Sequence, residues 1–163
     1  MIRSLLALLL LSSSAIAADW SSYANTRFGT TIDIPSGFVN DVPEPANGDG
    51  LTFHSVDGKA ELLVWGNNLV DADFNQDVAA RLKSDLEDGW NISYVAGVNG
   101  SGWQVYSGTR EGRLLYAKSI SSCKETQALH FRIEYPEVQK AIYDSIVARL
   151  SKSLKAGPAT DCP

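Results

Sequence analysis

The chain has 163 residues, with 19 acidic against 14 basic side chains and a formal net charge of −5. That is enough for one domain with its own hydrophobic core, and 44% hydrophobic with 20% charged residues is a globular composition, not that of a disordered chain. The acidic balance, with no basic cluster, excludes binding to a nucleic-acid backbone and attraction to anionic membranes.

Residues 1–17 read as an export signal: Arg3 is a positive n-region, Leu5 to Leu11 an apolar h-region, and Ala15-Ile16-Ala17 a small-residue cleavage site. The apolar run is too short to span a bilayer. Cleavage after Ala17 is predicted, leaving 18–163 as a single α+β domain. No cysteine follows the h-region, so no lipid attachment is expected, and the chain is read as secreted or periplasmic.

The mature sequence opens with two short strands around a turn at 25–29. Thr30, Ile32 and Ile34 alternate with Thr31 and Asp33, and Pro35 and Gly37 stop the run. An irregular surface loop follows, because Pro43 and Pro45 cannot donate to a ladder and Asn47-Gly48 and Asp49-Gly50 are turn dipeptides. Asp57-Gly58 then suits a two-residue type I′ hairpin. Its register sets His54 opposite Glu61, Phe53 opposite Leu62 and Leu51 opposite Val64. Leu51, Phe53, Leu62 and Val64 share a core face, with Thr52, His54, Lys59 and Glu61 on the other and Leu63 an exception there.

The stretch at 71–90 reads as an amphipathic helix, with Asp71 or Asp73 as cap, Phe74, Val78, Leu82 and Leu86 every fourth residue, and Gly89 at the C′ position. Strands on either side of Asn99-Gly100 make another hairpin, in a register that sets Trp103 opposite Ala96. A strand after Glu111-Gly112 leads to a run in which Leu129, Phe131, Ile133 and Tyr135 face in while His130, Arg132 and Glu134 face out. Pro136 fits the first position of a final helix whose apolar stripe is Val138, Ile142, Ile146, Leu150 and Leu154, ended by Gly157-Pro158. The predicted fold is α+β: a mostly antiparallel sheet flanked by helices.

Cys123 and Cys162 are the only cysteines, and an exported chain with an even count is expected to pair them. A strand of about 33 Å followed by an antiparallel helix of about 30 Å brings Cys162 back to Cys123.

No nucleophile elbow, Walker loop, HExxH or GxGxxG is present. Ser121 and Lys124 match S-x-x-K, but at a strand junction instead of on a helical turn. Cys123 as a nucleophile would be silenced by the disulfide. His54 and His130 are the sole histidines, both assigned to outward strand positions with structural or solvent roles. Asp85, Glu87 and Asp88 are read as acidic surface. Trp20, Trp65, Trp90, Trp103 and the six tyrosines could line a pocket but are read as packing.

The acidic loop is the candidate binding site: Asp41, Glu44, Asn47 and Asp49 are hard oxygen donors that suit Ca²⁺. An EF-hand is excluded, since Pro45 and Val56 would fall at its first and twelfth positions, so only an irregular Ca²⁺ site is considered there. No cofactor and no other metal is expected.

The segment "YANTRFGTTIDIPSGF" resembles the start of the PsbP/Mog1/DcrB-like superfamily. Together with "NGDGLTF", "EYPEVQKAIYDSIVARLSKSL" and the export signal, the chain looks closest to small secreted bacterial proteins of uncharacterised function. The resemblance implies an α/β/α-type sandwich and a non-enzymatic role in binding or envelope assembly, with an envelope or extracellular protein as partner, no nucleic acid and no stable membrane insertion. It supplies no catalytic residue. Two alternatives are kept: a small hydrolase or ligand-processing enzyme using loop carboxylates, and a secreted effector or inhibitor presenting the 41–50 loop.

Overall fold

The computed structural model describes residues 19–97 and 100–162, so the predicted export signal with its expected cleavage point, and Asn99 of the predicted turn, lie outside the described residues. In chain order the elements are β1 (Ser21–Ala24), β2 (Thr30–Ile34), β3 (Phe38–Val39), β4 (Gly50–Ser55), β5 (Glu61–Asn68), α1 (Phe74–Glu87), β6 (Asn91–Ala96), β7 (Trp103–Arg110), β8 (Arg113–Ser122) and β9 (Gln127–Pro136). A 3₁₀ turn (Glu137–Gln139), α2 (Lys140–Ser153) and β10 (Lys155–Ala156) complete them. Seven strands form one antiparallel sheet in the order β3-β4-β5-β9-β8-β7-β6, and β1, β2 and β10 form a second, small one.

The alternation of β9 explains why both faces of the large sheet carry a helix. Phe131, Ile133 and Tyr135 join Ile32, Phe53, Leu62 and Val64, and this face is closed by Tyr143, Leu150 and Leu154 at α2 and its C-terminal cap. The opposite face presents Ala128 to Phe74 and Val78 of α1, while Tyr106, Leu115 and Ala117 meet Leu82 and Trp90. The α+β expectation therefore holds, with helices on both sides.

The β4–β5 register is as predicted, with His54 opposite Glu61 and Leu51 opposite Val64. The turn is not type I′. Only Gly58 has a positive φ (68°), and its N–H bonds Ser55 O at 2.7 Å, so the chain turns over residues 55–58. The Ser55 side chain stabilises this longer turn by accepting from the N–H groups of Lys59 and Ala60. Between β6 and β7 the observed pairing is Ala96 with Val105, two residues from the predicted Ala96–Trp103 pair. Trp103 instead covers Gly97, where an added Cβ would sit 2.1 Å from the indole.

Asp73 caps α1, and Gln76 closes a capping box with it. Both helices differ from the predicted stripes in the same way. Leu86, Val138 and Ile142 are exposed, whereas Asp85 and Tyr143 are buried. Pro136 ends β9 and precedes the 3₁₀ turn, so α2 starts at Lys140, and it stops at Ser153 because the next residues pair with β2 as β10. The disulfide forms as expected, with Cys123 and Cys162 Cα atoms 5.5 Å apart.

Candidate functional site

The 41–50 loop is held in place from below. Asn25, buried at the β1–β2 turn, donates from Nδ2 to Gly48 O (2.7 Å) and to Glu44 Oε1 (3.0 Å), while its Oδ1 accepts from Phe28 N. Arg27, in the same turn, bonds Asp49 Oδ1 at 2.7 Å through Nη1 and also the carbonyl of Asn47. Asn47 Nδ2 in turn donates to Asp49. Three of the four predicted loop residues are therefore fastened to the β1–β2 turn, and Asp41 makes no hydrogen bond or ion pair among the described residues. The donors suited to Ca²⁺ are spent on Arg27, Asn25 and Tyr23, and among the described residues no three His, Cys, Asp or Glu side chains come together to hold a metal.

Held this way, the loop stands off from β4 and leaves a groove of about 270 Å³. One wall is Val42, Pro43 and Pro45, and the other is Leu63 and Trp65, with Asn47 and Asp49 at one end. Gly50 is required at the floor, since a Cβ there would lie 2.0 Å from Val64 O. Val42 is 58% exposed and Val39 beside it is also exposed.

The β4 edge faces this groove. Ser55 N bonds Ala60 O, and Gly66 N bonds Asp49 O, so the odd-numbered residues from 49 to 55 pair with β5. Gly50, Thr52 and His54 turn their main-chain groups to the opposite edge. β3 covers only His54 and Ser55. Asn40 Nδ2 takes Thr52 O at 2.6 Å, and the N–H groups of Gly50 and Thr52 find no acceptor among the described residues.

His130 corrects the expectation that it faces solvent. It does lie on the face away from the α2 core, but α1 covers that face and leaves it 1% exposed. Its Nδ1 meets Ser119 Oγ at 2.7 Å and its Nε2 meets Asn67 Oδ1 at 2.7 Å, with the Trp65 ring stacked on it at 4.8 Å. Asn67 donates to Asp77 through Nδ2, and Arg81 also donates to its Oδ1, which assigns the proton to Nε2 and makes Ser119 the donor to Nδ1. A serine, a histidine and an asparagine in line have the connectivity of a nucleophile, base and orienting group. With Ser119 only 4% exposed beneath α1, no substrate reaches the hydroxyl, and the set acts as a satisfied buried network. His54 is paired across the hairpin as predicted, with Nδ1 3.6 Å from Glu61.

Burial, with a smaller contribution from Arg81, holds the His130 pKa well below its ordinary 6.5. The unfolded chain takes up a proton at this residue below about pH 6.5 and the native chain does not, so the stability it confers is complete above 6.5 and lost as pH falls below it. Urea unfolding from pH 7.5 to 5 is expected to show wild-type stability falling more steeply than that of His130→Gln, by up to about 1.4 kcal/mol per pH unit. Parallel profiles would refute this.

A second set was missed by the sequence. Asp85, expected at the surface, accepts from Arg132 Nη1 (2.6 and 2.7 Å) and from the Tyr106 hydroxyl (2.6 Å), and Arg132 also bonds Glu134. Burial, and then the carboxylate that accepts its proton, raise the Tyr106 pKa, so it is a permanent donor. Ser121 lies in β8 opposite Ala128 and Lys124 in the β8–β9 turn, where Cys123, Lys124 and Glu125 all have positive φ, far from the helical geometry an S-x-x-K site requires.

No family model matches the chain, and no curated protein matches it significantly. Solved structures do. The solution structure of cyanobacterial PsbP (CyanoP) from Synechocystis sp. PCC 6803 is similar with a TM-score of 0.62 at 15% identity, over 91% of this chain and 98% of that one. The crystal structure of the Saccharomyces cerevisiae Ran-binding protein Mog1p is similar with a TM-score of 0.60 at 10% identity, over 87% and 97%. At these identities the likeness is one of fold, and the chain has a PsbP/Mog1-like fold.

Proposed function

We propose that the chain is an exported, single-domain binding or assembly protein that engages another envelope or extracellular protein through the 41–50 loop and its groove, and that it catalyses no reaction. The observation that carries this reading is the groove itself: an apolar slot at a sheet edge, with the Glu44 and Asp49 carboxylates engaged by the protein's own cation and amides instead of being free to act as acid or base. The leader-like residues 1–17 and the disulfide support the exported address. The yeast structural neighbour is named for binding Ran, which supports a protein as the class of partner. Among the described residues no helix is long and apolar enough to cross a membrane.

A photo-crosslinking residue in place of Val42, in cells expressing the full chain, is expected to trap a discrete adduct. The same residue at Val138, 94% exposed and on the 3₁₀ turn, is not expected to trap it. Leu63→Glu is expected to abolish the Val42 adduct while leaving the protein folded. Identical adduct patterns from both positions, or none from Val42, would overturn the reading.

A further inference from the structure

Resting on that reading, we propose that the groove takes an extended peptide segment of the partner, added as a strand along residues 50–52 of β4. A large apolar side chain enters between the prolines and Trp65, and a basic side chain lies beside Asp41. The main chain supports a strand as the occupant. Two N–H groups at the edge of β4 lack acceptors among the described residues, and edge strands left open in this way are templates for pairing.

The loop cannot close the edge itself. The Arg27 and Asn25 anchors keep the loop standing off, and over residues 50–52 its bond to this edge is the one from Asn40 Nδ2 to Thr52 O, which leaves both N–H groups open. Size favours a peptide side chain over a drug-sized ligand, because about 270 Å³ lies below the usual 300–1,000 Å³ of small-molecule pockets. Charge sets the sign. No Lys or Arg lines the groove, and Asp49 at one end is already neutralised by Arg27, so the uncompensated charge is that of Asp41, which lies in sequence between the lining residues Asn40 and Val42 and has no partner among the described residues.

The test uses the ¹⁵N-labelled mature chain and a capped Lys-Val-Leu-Val-Lys peptide, read by amide chemical-shift changes. Saturable shifts are expected at Gly50, Thr52 and Leu63. Moving an N-methyl group between the leucine and the following valine should weaken binding about fivefold or more at one of the two positions, since alternate residues face the edge. Exchanging both lysines for glutamates should weaken it by a similar factor. Leu63→Glu should abolish the shifts, and Thr52→Pro, which removes an edge-facing N–H, should do so without unpairing β5, while Thr52→Val, which keeps that N–H, should not.

Equal affinity for both N-methylated peptides, or shifts centred elsewhere, would overturn strand addition. A Val42 adduct in cells without any peptide response would overturn it too, while leaving the binding role standing. Peptide shifts without an adduct would support strand addition and count against the envelope partner.

Discussion

Asp85→Ala is expected to cost the fold about 3–5 kcal/mol, the range for breaking a buried ion pair by removing one partner. The carboxylate is 5% exposed on α1, with Arg132 on both its oxygens and the Tyr106 hydroxyl on one of them. Truncation leaves a buried phenol without an acceptor, itself a loss of about 1–3 kcal/mol, and leaves Arg132 with Glu134 alone. Retention of Glu134 places the expected value toward the lower end. A cycle separates the pair from its surroundings. Arg132→Met in the Asp85→Leu background should recover the part of the loss due to the unpaired guanidinium, because an apolar pair avoids burying either charge, while the part due to the Tyr106 hydroxyl remains. Urea unfolding reads both effects, and a loss under about 1 kcal/mol in Asp85→Ala would show that the pair is already solvated.

Asp85 also shows why the helices were only half legible. Four residues advance about 400° around a helix, so a stripe read at every fourth position drifts by about 40° per step. From Phe74 the stripe has rotated well off the sheet by Leu86, while Asp85, eleven residues on, has returned to within about 20° of it. The protein buries the carboxylate and exposes the leucine. In α2 the same drift, counted back from Leu150, carries Ile142 into solvent and brings Tyr143 into the core, and Val138 leaves the stripe altogether because it lies on the 3₁₀ turn before the helix. The strands were easier to read because a period of two does not drift. The β4–β5 register was fixed by which residues are apolar, even though its turn type was not.

The site was legible to a different degree. Composition marked residues 41–50 as a loop rich in oxygen donors, and that loop does wall a groove. What cannot be read from a local window is where its carboxylates point. Arg27 lies more than 20 positions before Asp49, in a turn that gives no hint of its target, and a cation there converts a Ca²⁺-like donor set into an anchored loop. His130 was hidden for a related reason. Strand alternation correctly placed it opposite the α2 core, but only the tertiary fold shows that α1 covers that side as well.

Removing the disulfide, with Cys123→Ser and Cys162→Ser together, is expected to cost about 4 kcal/mol, since the cross-link spans 39 positions and constrains a long loop of the unfolded chain. The Tm should fall by roughly 10 °C, and the urea m-value should rise because the denatured chain expands. The bond also has a local reach. The C-terminal segment runs back along the β1–β2 turn, with Gly157, Thr160 and Asp161 N–H groups bonded to Gly29, Thr26 and Arg27 carbonyls. Asp161 holds Arg27 Nε at 2.6 Å, and Arg27 holds Asp49. Cys162 thus secures the strap that positions the cation under the groove loop. α2 keeps its own grip through Tyr143, Leu150 and Leu154, so the cysteine-free chain should still fold. Its hydrogen exchange should quicken first at Thr160 and Asp161, and then at Gly48 in the groove loop, while the β8–β9 ladder stays protected. Unchanged exchange at Gly48 and Asp49 would show that the strap and the groove are uncoupled, and a stability loss under about 1 kcal/mol would remove the disulfide from the account of what holds the C-terminus.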